Sequence, residues 1–224
     1  MRATPPEPSR DRAMARRRAT GRALARGFWS VRVTGAERVP AAGPVLLAVN
    51  HTSLLDGPLV FALSNRAVYF LAKRELFVGP VGWVLRWIGQ IPVDRSRPDR
   101  RALRDCLEIL QVGGAVGVFP EGTRGDGQVA RIHHGVAYLA IKSGAVVVPV
   151  ACLGTRRPDS GLSSVAGFRQ PVDVAFGVPF SVPSDGDSSA RRVVAAAATE
   201  IHARLRAHVQ ESAAQRARTY EETP

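Results

Sequence analysis

Short apolar runs recur along the chain, separated by amphipathic stretches and by polar, glycine-rich segments. Gly43-Pro44-Val45-Leu46-Leu47-Ala48-Val49, Ala67-Val68-Tyr69-Phe70-Leu71-Ala72, residues 115–119 and residues 146–153 have the length and content of buried strands. Trp29-Ser30-Val31-Arg32-Val33 and residues 172–176 alternate, which predicts two more. Gly89-Gln90-Ile91-Pro92-Val93-Asp94-Arg95 reads as a short strand running into a polar loop. Helical spacing falls between the strands. A helix near 56–64 would present Leu59, Val60 and Leu63, with Thr52 or Ser53 as its cap. Another runs from Ser96 or Asp99 to about Gln111, with Leu103, Cys106, Leu107 and Leu110 on one face and Gly113-Gly114 as its stop. A third is expected near 135–142. The last begins at Asp187 or Ser188 and reaches about Val209, with Val194, Ala198, Ile201 and Leu205 aligned. Strands alternating with helices, without internal repeats, predict one α/β domain with a mostly parallel or mixed central sheet flanked by helices.

The ends of the chain have a different pattern. Residues 1–12 carry prolines and arginines but no apolar period, and are expected to form a disordered basic arm. Residues 13–34 form a basic helix and a strand. Met14, Gly21, Leu24, Ala25 and Phe28 fall loosely on one side of the helix, while Arg12, Arg16, Arg22 and Arg26 lie mostly opposite. Such a segment suits an anionic bilayer and suits equally a solvated helix packed on the domain. The main domain spans 35–213, and the polar tail 214–224 is expected to fray. Residues 81–88, with Trp83 and Trp87, are too short to span a bilayer. They suit its interface, but read somewhat better as a core helix using tryptophan as bulk.

Composition narrows the partners. The chain of 224 residues has a formal net charge of +12, which points to an anionic partner: membrane, nucleic acid or a phosphorylated substrate. Only Lys73 and Lys142 are lysines; the other basic residues are arginines. With so much Ala, Gly and Val, that bias also fits a GC-rich genome, which softens the charge argument. No apolar run reaches the roughly 20 residues that a spanning helix needs, and the N-terminus lacks the apolar core of a secretory signal. Cys106 and Cys152 have no partner at metal-ligand spacing, so reduced thiols and no metal site are expected.

Candidate chemistry sits in three loops, each following a strand: His51…Asp56, Asp94-Arg95 and Glu121-Gly122-Thr123-Arg124. In open α/β sheets, functional loops cluster beyond strand ends. An imidazole that takes a proton from a hydroxyl needs one tautomer and one orientation, which a nearby carboxylate supplies. His51 and Asp56 form such a dyad if the turn folds the acid back onto the ring; otherwise Asp56 is a helix-capping acid in a surface loop. Arginine binds phosphate bidentately, and glycine lets backbone amides approach an anion. Neither a G-x-S-x-G elbow nor a P-loop is present. Hydroxyl activation beside a phosphate clamp is what acyl transfer to a phosphorylated alcohol requires.

These residues resemble the glycerophospholipid acyltransferases typified by 1-acyl-sn-glycerol-3-phosphate acyltransferase. Asn50-His51-Thr52-Ser53-Leu54-Leu55-Asp56 is similar to the family's N-H-x4-D motif, and residues 89–95 to the second motif. Phe119-Pro120-Glu121-Gly122-Thr123-Arg124 is similar to the third, and Val148-Pro149-Val150 to the fourth. Leu71-Ala72-Lys73-Arg74-Glu75-Leu76 also resembles bacterial members. The likeness covers roughly residues 35–180. It departs at His133 and His134, where many relatives carry lysine before a glycine.

The resemblance implies roles by position. His51 would be the general base on the acceptor hydroxyl, with Asp56 holding its ring. Arg95, Glu121, Gly122, Thr123 and Arg124 would bind or organise the acceptor's phosphate, with Glu121 orienting an arginine or hydroxyl. Pro92 and Pro149 would shape the acyl-donor site or simply end strands. The implied reaction moves a fatty acyl group from acyl-CoA or acyl-carrier protein to a lysophospholipid, above all 1-acyl-sn-glycerol-3-phosphate, with no metal or resident cofactor. Another lysolipid, a lyso-ornithine lipid or a glycolipid are alternative acceptors. A hydrolase is a third reading, and a non-catalytic basic module for membrane or nucleic acid a reading of another class. No nucleic-acid motif supports the last. The expected location is peripheral, on the cytoplasmic face of the cell membrane.

Overall fold

The computed structural model describes residues 8–94, 99–122, 129, 133–157, 161, 164–183 and 191–221. Its seven strands are β1 (Ser30–Thr34), β2 (Val45–Val49), β3 (Val68–Lys73), β4 (Ile91–Val93), β5 (Ala115–Val118), β6 (Val146–Leu153) and β7 (Pro171–Phe176). They form one sheet in the order β1-β7-β6-β2-β5-β3-β4, parallel throughout except between β6 and β7. The α/β architecture follows the sequence pattern. β2 is wholly buried, and its side chains divide by period two between the faces. Leu46 and Ala48 join the core under α4 (Arg100–Gln111), α5 (Gly135–Ser143) and α6 (Arg191–Glu221). Val45, Leu47 and Val49 join the opposite core under α2 (Asp56–Leu63).

α2 is apolar around much of its circumference because α1 (Pro8–Phe28) covers its outer side. Gly21 of α1 sits close to Ala62; a Cβ there would lie 3.1 Å from the Ala62 Cβ. Arg18 and Arg22 donate to the Ser64 carbonyl, and Arg22 also to Ala62 at 3.4 Å, so two arginines satisfy the last turn of α2. Part of the basic character of α1 is thus structural, while Arg12, Arg16 and Arg26 remain exposed.

Several expectations need correction. α1 starts at Pro8, inside the stretch assigned to a disordered arm. α6 continues to Glu221 rather than stopping near Val209 and fraying. Its last turns are clamped: Arg216 pairs with Asp173, and Arg32 reaches Thr219 Oγ1 at 2.8 Å. The helix of the tryptophans is α3 (Gly79–Trp87), and only Gly82 in it is buried. Val81, Trp83 and Val84 are exposed, so the core reading fails for Trp83, while Trp87 packs against the buried Met14, Phe61 and Ile88. Periodicity marks an apolar face without saying what covers it. The cap of α4 is Asp99, which accepts from Arg101 and Ala102 at 3.1 Å each.

Candidate active site

β6, β2, β5, β3 and β4 run parallel, so their carboxyl ends open onto one edge of the sheet. β2 lies between β5 and β6 there. Asn50, fully buried just past β2, donates to the Cys152 carbonyl at 3.1 Å and accepts from the Cys152 amide at 2.7 Å. The chain then turns sharply through residues 51–55 into α2.

The turn folds the acid back onto the ring. His51 Nδ1 lies 3.0 Å from Asp56 Oδ2, and that oxygen also accepts from the amides of Thr52 at 2.7 Å and Ser53 at 2.8 Å. Neither Thr52 nor Ser53 caps α2 through its side chain; the cap position is Leu55. Instead the first-turn acid gathers the amides that precede it. Asp56 Oδ1 accepts from Thr155 Oγ1 at 2.6 Å. Asp56 is fully buried and His51 is 7 % exposed, so the ring has an edge toward solvent while its orienting acid has none. With Nδ1–H on the carboxylate, Nε2 carries the lone pair and can accept a proton.

Phe119, at the end of β5, stacks on the imidazole with centroids 3.9 Å apart and planes 17° apart, and Phe70 stacks behind it at 5.2 Å. Gly117 leaves room for the Phe70 ring; a side chain there would collide with it. Glu121 Oε1 accepts from the backbone N–H of His51 at 3.0 Å, which fastens the third loop to the dyad loop. Gly122 has φ +72°, and a Cβ on it would stand 2.6 Å from the exposed His133 imidazole.

The remaining candidates separate. Arg95, Thr123 and Arg124 lie outside the described residues. Asp94, just before Arg95, donates its amide to Asp99 Oδ2 at 3.0 Å, so the α4 cap also anchors the second loop. Backbone N–H groups of Asp94 and Ala102 hold the Asp99 carboxyl below its usual range. Pro92 is exposed on edge strand β4, where a missing N–H costs little. Pro149 is buried within β6 opposite Ala48. It sits where the neighbour of β6 changes from Phe180 to β7, and its carbonyl accepts from Gly177 at 2.8 Å. Both prolines thus lie within strands of the sheet.

Thr155 and the stacking role of Phe119 were not among the candidates. The stretch from residue 155 has no apolar period that would mark it as core, yet Thr155 is fully buried. Phe119 stood in a motif without a role. Its place at the end of a strand adjacent to β2 was the available signal. Two nucleophiles nearby are committed elsewhere. Burial, with the negative charge of Asp56, pushes the Cys152 thiol well up, which leaves it inert. Ser53 is fully buried, and its hydroxyl donates to the Ser164 carbonyl at 3.3 Å. Among the described residues, no group of His, Cys, Asp and Glu could hold a metal ion.

Comparison with known proteins identifies the family. The chloroplastic 1-acyl-sn-glycerol-3-phosphate acyltransferase of Arabidopsis thaliana is 34% identical over 133 residues, 57% of this chain and 37% of the relative. A lyso-ornithine lipid O-acyltransferase of Pseudomonas aeruginosa is 36% identical over 111 residues, 48% of this chain and 42% of the relative. The chain thus spans under half the length of either curated relative. The crystal structure of the 1-acyl-sn-glycerophosphate acyltransferase of Thermotoga maritima superposes with a TM-score of 0.68 at 26% identity, covering 90% of this chain and 80% of that one. The model of the acyltransferase family matches residues 30–153, which includes the dyad, its stacking partner and the Glu121 loop, and the chain belongs to that family.

Proposed function

We propose that the protein transfers a fatty acyl group from an acyl thioester, acyl-CoA or acyl-carrier protein, to the free hydroxyl of 1-acyl-sn-glycerol-3-phosphate. The observation that carries this reading is the buried Asp56 holding His51 with Nε2 free at the carboxyl end of the central strand. In this mechanism Nε2 takes the proton of the acceptor hydroxyl as its oxygen attacks the thioester carbonyl. The C–O bond forms, the tetrahedral oxyanion collapses, the C–S bond breaks, and the thiolate leaves with the proton held by His51. Backbone amides are the natural oxyanion donors in such a site. No acyl-enzyme is needed, in keeping with the inert Cys152 and the engaged Ser53. Arg95, Thr123 and Arg124 take the acceptor's phosphate by their likeness to the family motifs. Glu121 fastens the third loop to His51 rather than touching the phosphate.

The acceptor's chain is held in a bilayer while the thioester is not, so the protein works peripherally, at the cytoplasmic face. Two exposed apolar areas favour this. One is Val78, Val81, Trp83 and Val84 around α3, with Trp83 and Trp87 stacked at 6.1 Å. The other is a groove of about 570 Å³ between Leu24, Phe28, Leu55 and Phe168, whose wall includes the dyad loop through Leu55. Exposed arginines of α1 supply charge complementary to anionic lipid. Among the described residues, no helix is long and apolar enough to cross a membrane. Binding to anionic vesicles should weaken with added salt; equal binding to neutral vesicles would count against this surface.

The test of the reaction is thiol release from long-chain acyl-CoA with lysophosphatidic acid in mixed micelles, on wild type and His51→Ala. Turnover that requires the lysolipid should fall by about 10²–10⁴-fold in the variant. Full turnover in His51→Ala would refute the base assignment. A second reading keeps the chemistry and exchanges the acceptor for a lyso-ornithine lipid, as the Pseudomonas aeruginosa relative suggests. Turnover with that lipid and none with lysophosphatidic acid would select it.

A further inference from the structure

Asp56 Oδ2 is fixed by three donors, the His51 ring and two backbone amides, but among the described residues Oδ1 has one partner, the Thr155 hydroxyl at 2.6 Å. A carboxylate turns readily about its last side-chain bond. Whatever holds Oδ1 therefore also sets the plane in which Oδ2 meets the imidazole. We infer that Thr155, which no motif of the sequence singled out, is a positioning residue that locks the Asp56 carboxylate and through it the His51 ring. The inference rests on the reading of His51 as general base.

The direction of the hydrogen bonds follows from the groups. An ionised carboxylate only accepts, so Thr155 donates to Asp56. Thr52 Oγ1 lies 2.9 Å from Thr155 Oγ1 and, with that proton already committed, donates to Thr155. The chain is therefore Thr52 to Thr155 to Asp56 Oδ1, with Asp56 Oδ2 facing His51. Burial of Thr155 keeps water from replacing its hydroxyl. Its backbone is held as well. Gly154 before it takes φ +70°, the Thr155 carbonyl accepts from Ala166 at 2.9 Å, and the Ala166 carbonyl accepts from the Trp29 indole at 3.1 Å. The tether is thus anchored on β6 and on the segment beside the apolar groove, in addition to its bond with Thr52 of the dyad loop.

The experiment uses the full chain as wild type, Thr155→Val, Thr155→Ser and His51→Ala. It reads steady-state kinetics with acyl-CoA and lysophosphatidic acid, and the low-field proton resonance of the His51–Asp56 hydrogen bond. Thr155→Val keeps the shape and removes the hydroxyl. Its kcat should fall roughly ten- to a hundredfold with little change in either KM, and the resonance should shift or broaden. Thr155→Ser should restore both. Wild-type kcat and an unmoved resonance in Thr155→Val overturn the proposal, as does a folded serine variant as impaired as the valine one. If valine is not accepted by the fold, Thr155→Ala reports the missing hydroxyl. Turnover retained in His51→Ala would instead remove the base reading, and the resonance would still decide whether Thr155 fixes the pair.

Discussion

Asp56 and Asp173 are both buried carboxylates, and their surroundings differ in kind. Asp173, 4 % exposed on β7, lies between two cations: Arg32 Nε at 2.5 Å from one oxygen and Arg216 on the other. Arg216 also donates to the Pro171 carbonyl at 3.0 Å, and both guanidiniums face the Tyr220 ring. Among the described residues, Asp56 has no arginine partner. It is held by two amides, a hydroxyl and an imidazole. Paired with two permanent cations, a carboxylate is spent on binding β1, β7 and α6 together. Held by neutral dipoles, it keeps its charge for the one neighbour that can become charged. Asp56 can therefore stabilise an imidazolium at His51, and Asp173 has nothing left to offer a reaction.

Removing each charge separately should break the comparison if it is mistaken. The largest effect is expected from Asp56→Asn. Its amide oxygen can take the place of Oδ2 and its NH₂ can donate to Thr155, so the turn and the His51 tautomer survive while the charge is lost. Acyl transfer should drop by about 10²–10⁴-fold with Tm near wild type. An active variant would mean that the charge of Asp56 is not used. Asp173→Asn should do the reverse. It strands two half-exposed arginines, which costs about 2–3 kcal/mol, less than a fully buried pair because water still reaches them. Chemical denaturation should read that loss while kcat stays close to wild type; an unchanged midpoint would show that the clamp on α6 is superfluous.

A smaller effect sharpens the picture of the same clamped region. His208 on α6 is half-buried and lies 2.9 Å from the Ala175 carbonyl, and burial pushes its imidazole below the ordinary 6.5. The nearby charge of Arg38 acts in the same direction, while Glu211 and the Ala175 carbonyl oppose it. As the pH falls, the unfolded chain binds this proton before the folded one does. The stability contributed is therefore fully present above about pH 6.5 and is lost as the pH drops through the lowered folded value. Thermal melts between pH 7.5 and 5 should decline more steeply for wild type than for His208→Gln. Parallel curves would assign the decline to other groups.

What was legible in the sequence divides along the same physical line. Local patterns marked the strands of the central sheet and the His51–Asp56 pair, because a turn of four intervening residues brings acid and ring together. Thr155 was hidden for the opposite reason. It is 99 residues from Asp56, follows Gly154 in a stretch without periodicity, and gains its meaning only from the pairing of β6 with β2. Phe119 stood in a recognisable motif, but its stacking on His51 depends on Gly117 leaving space for Phe70. The exposed face of α3 and the long end of α6 were missed because amphipathic spacing does not say whether protein, lipid or water meets the apolar side. For α6, the fastening comes from Asp173 and Arg32 on other strands.

Asn50 carries one more consequence. By exchanging two hydrogen bonds with Cys152, its side chain behaves as an added backbone rung between β2 and β6. The amide of the residue before His51, which donates to the Val150 carbonyl at 3.3 Å, should therefore exchange about as slowly as those of the strands it joins. The start of the dyad loop is thereby fixed to the sheet by a side chain rather than by the loop's own bonds.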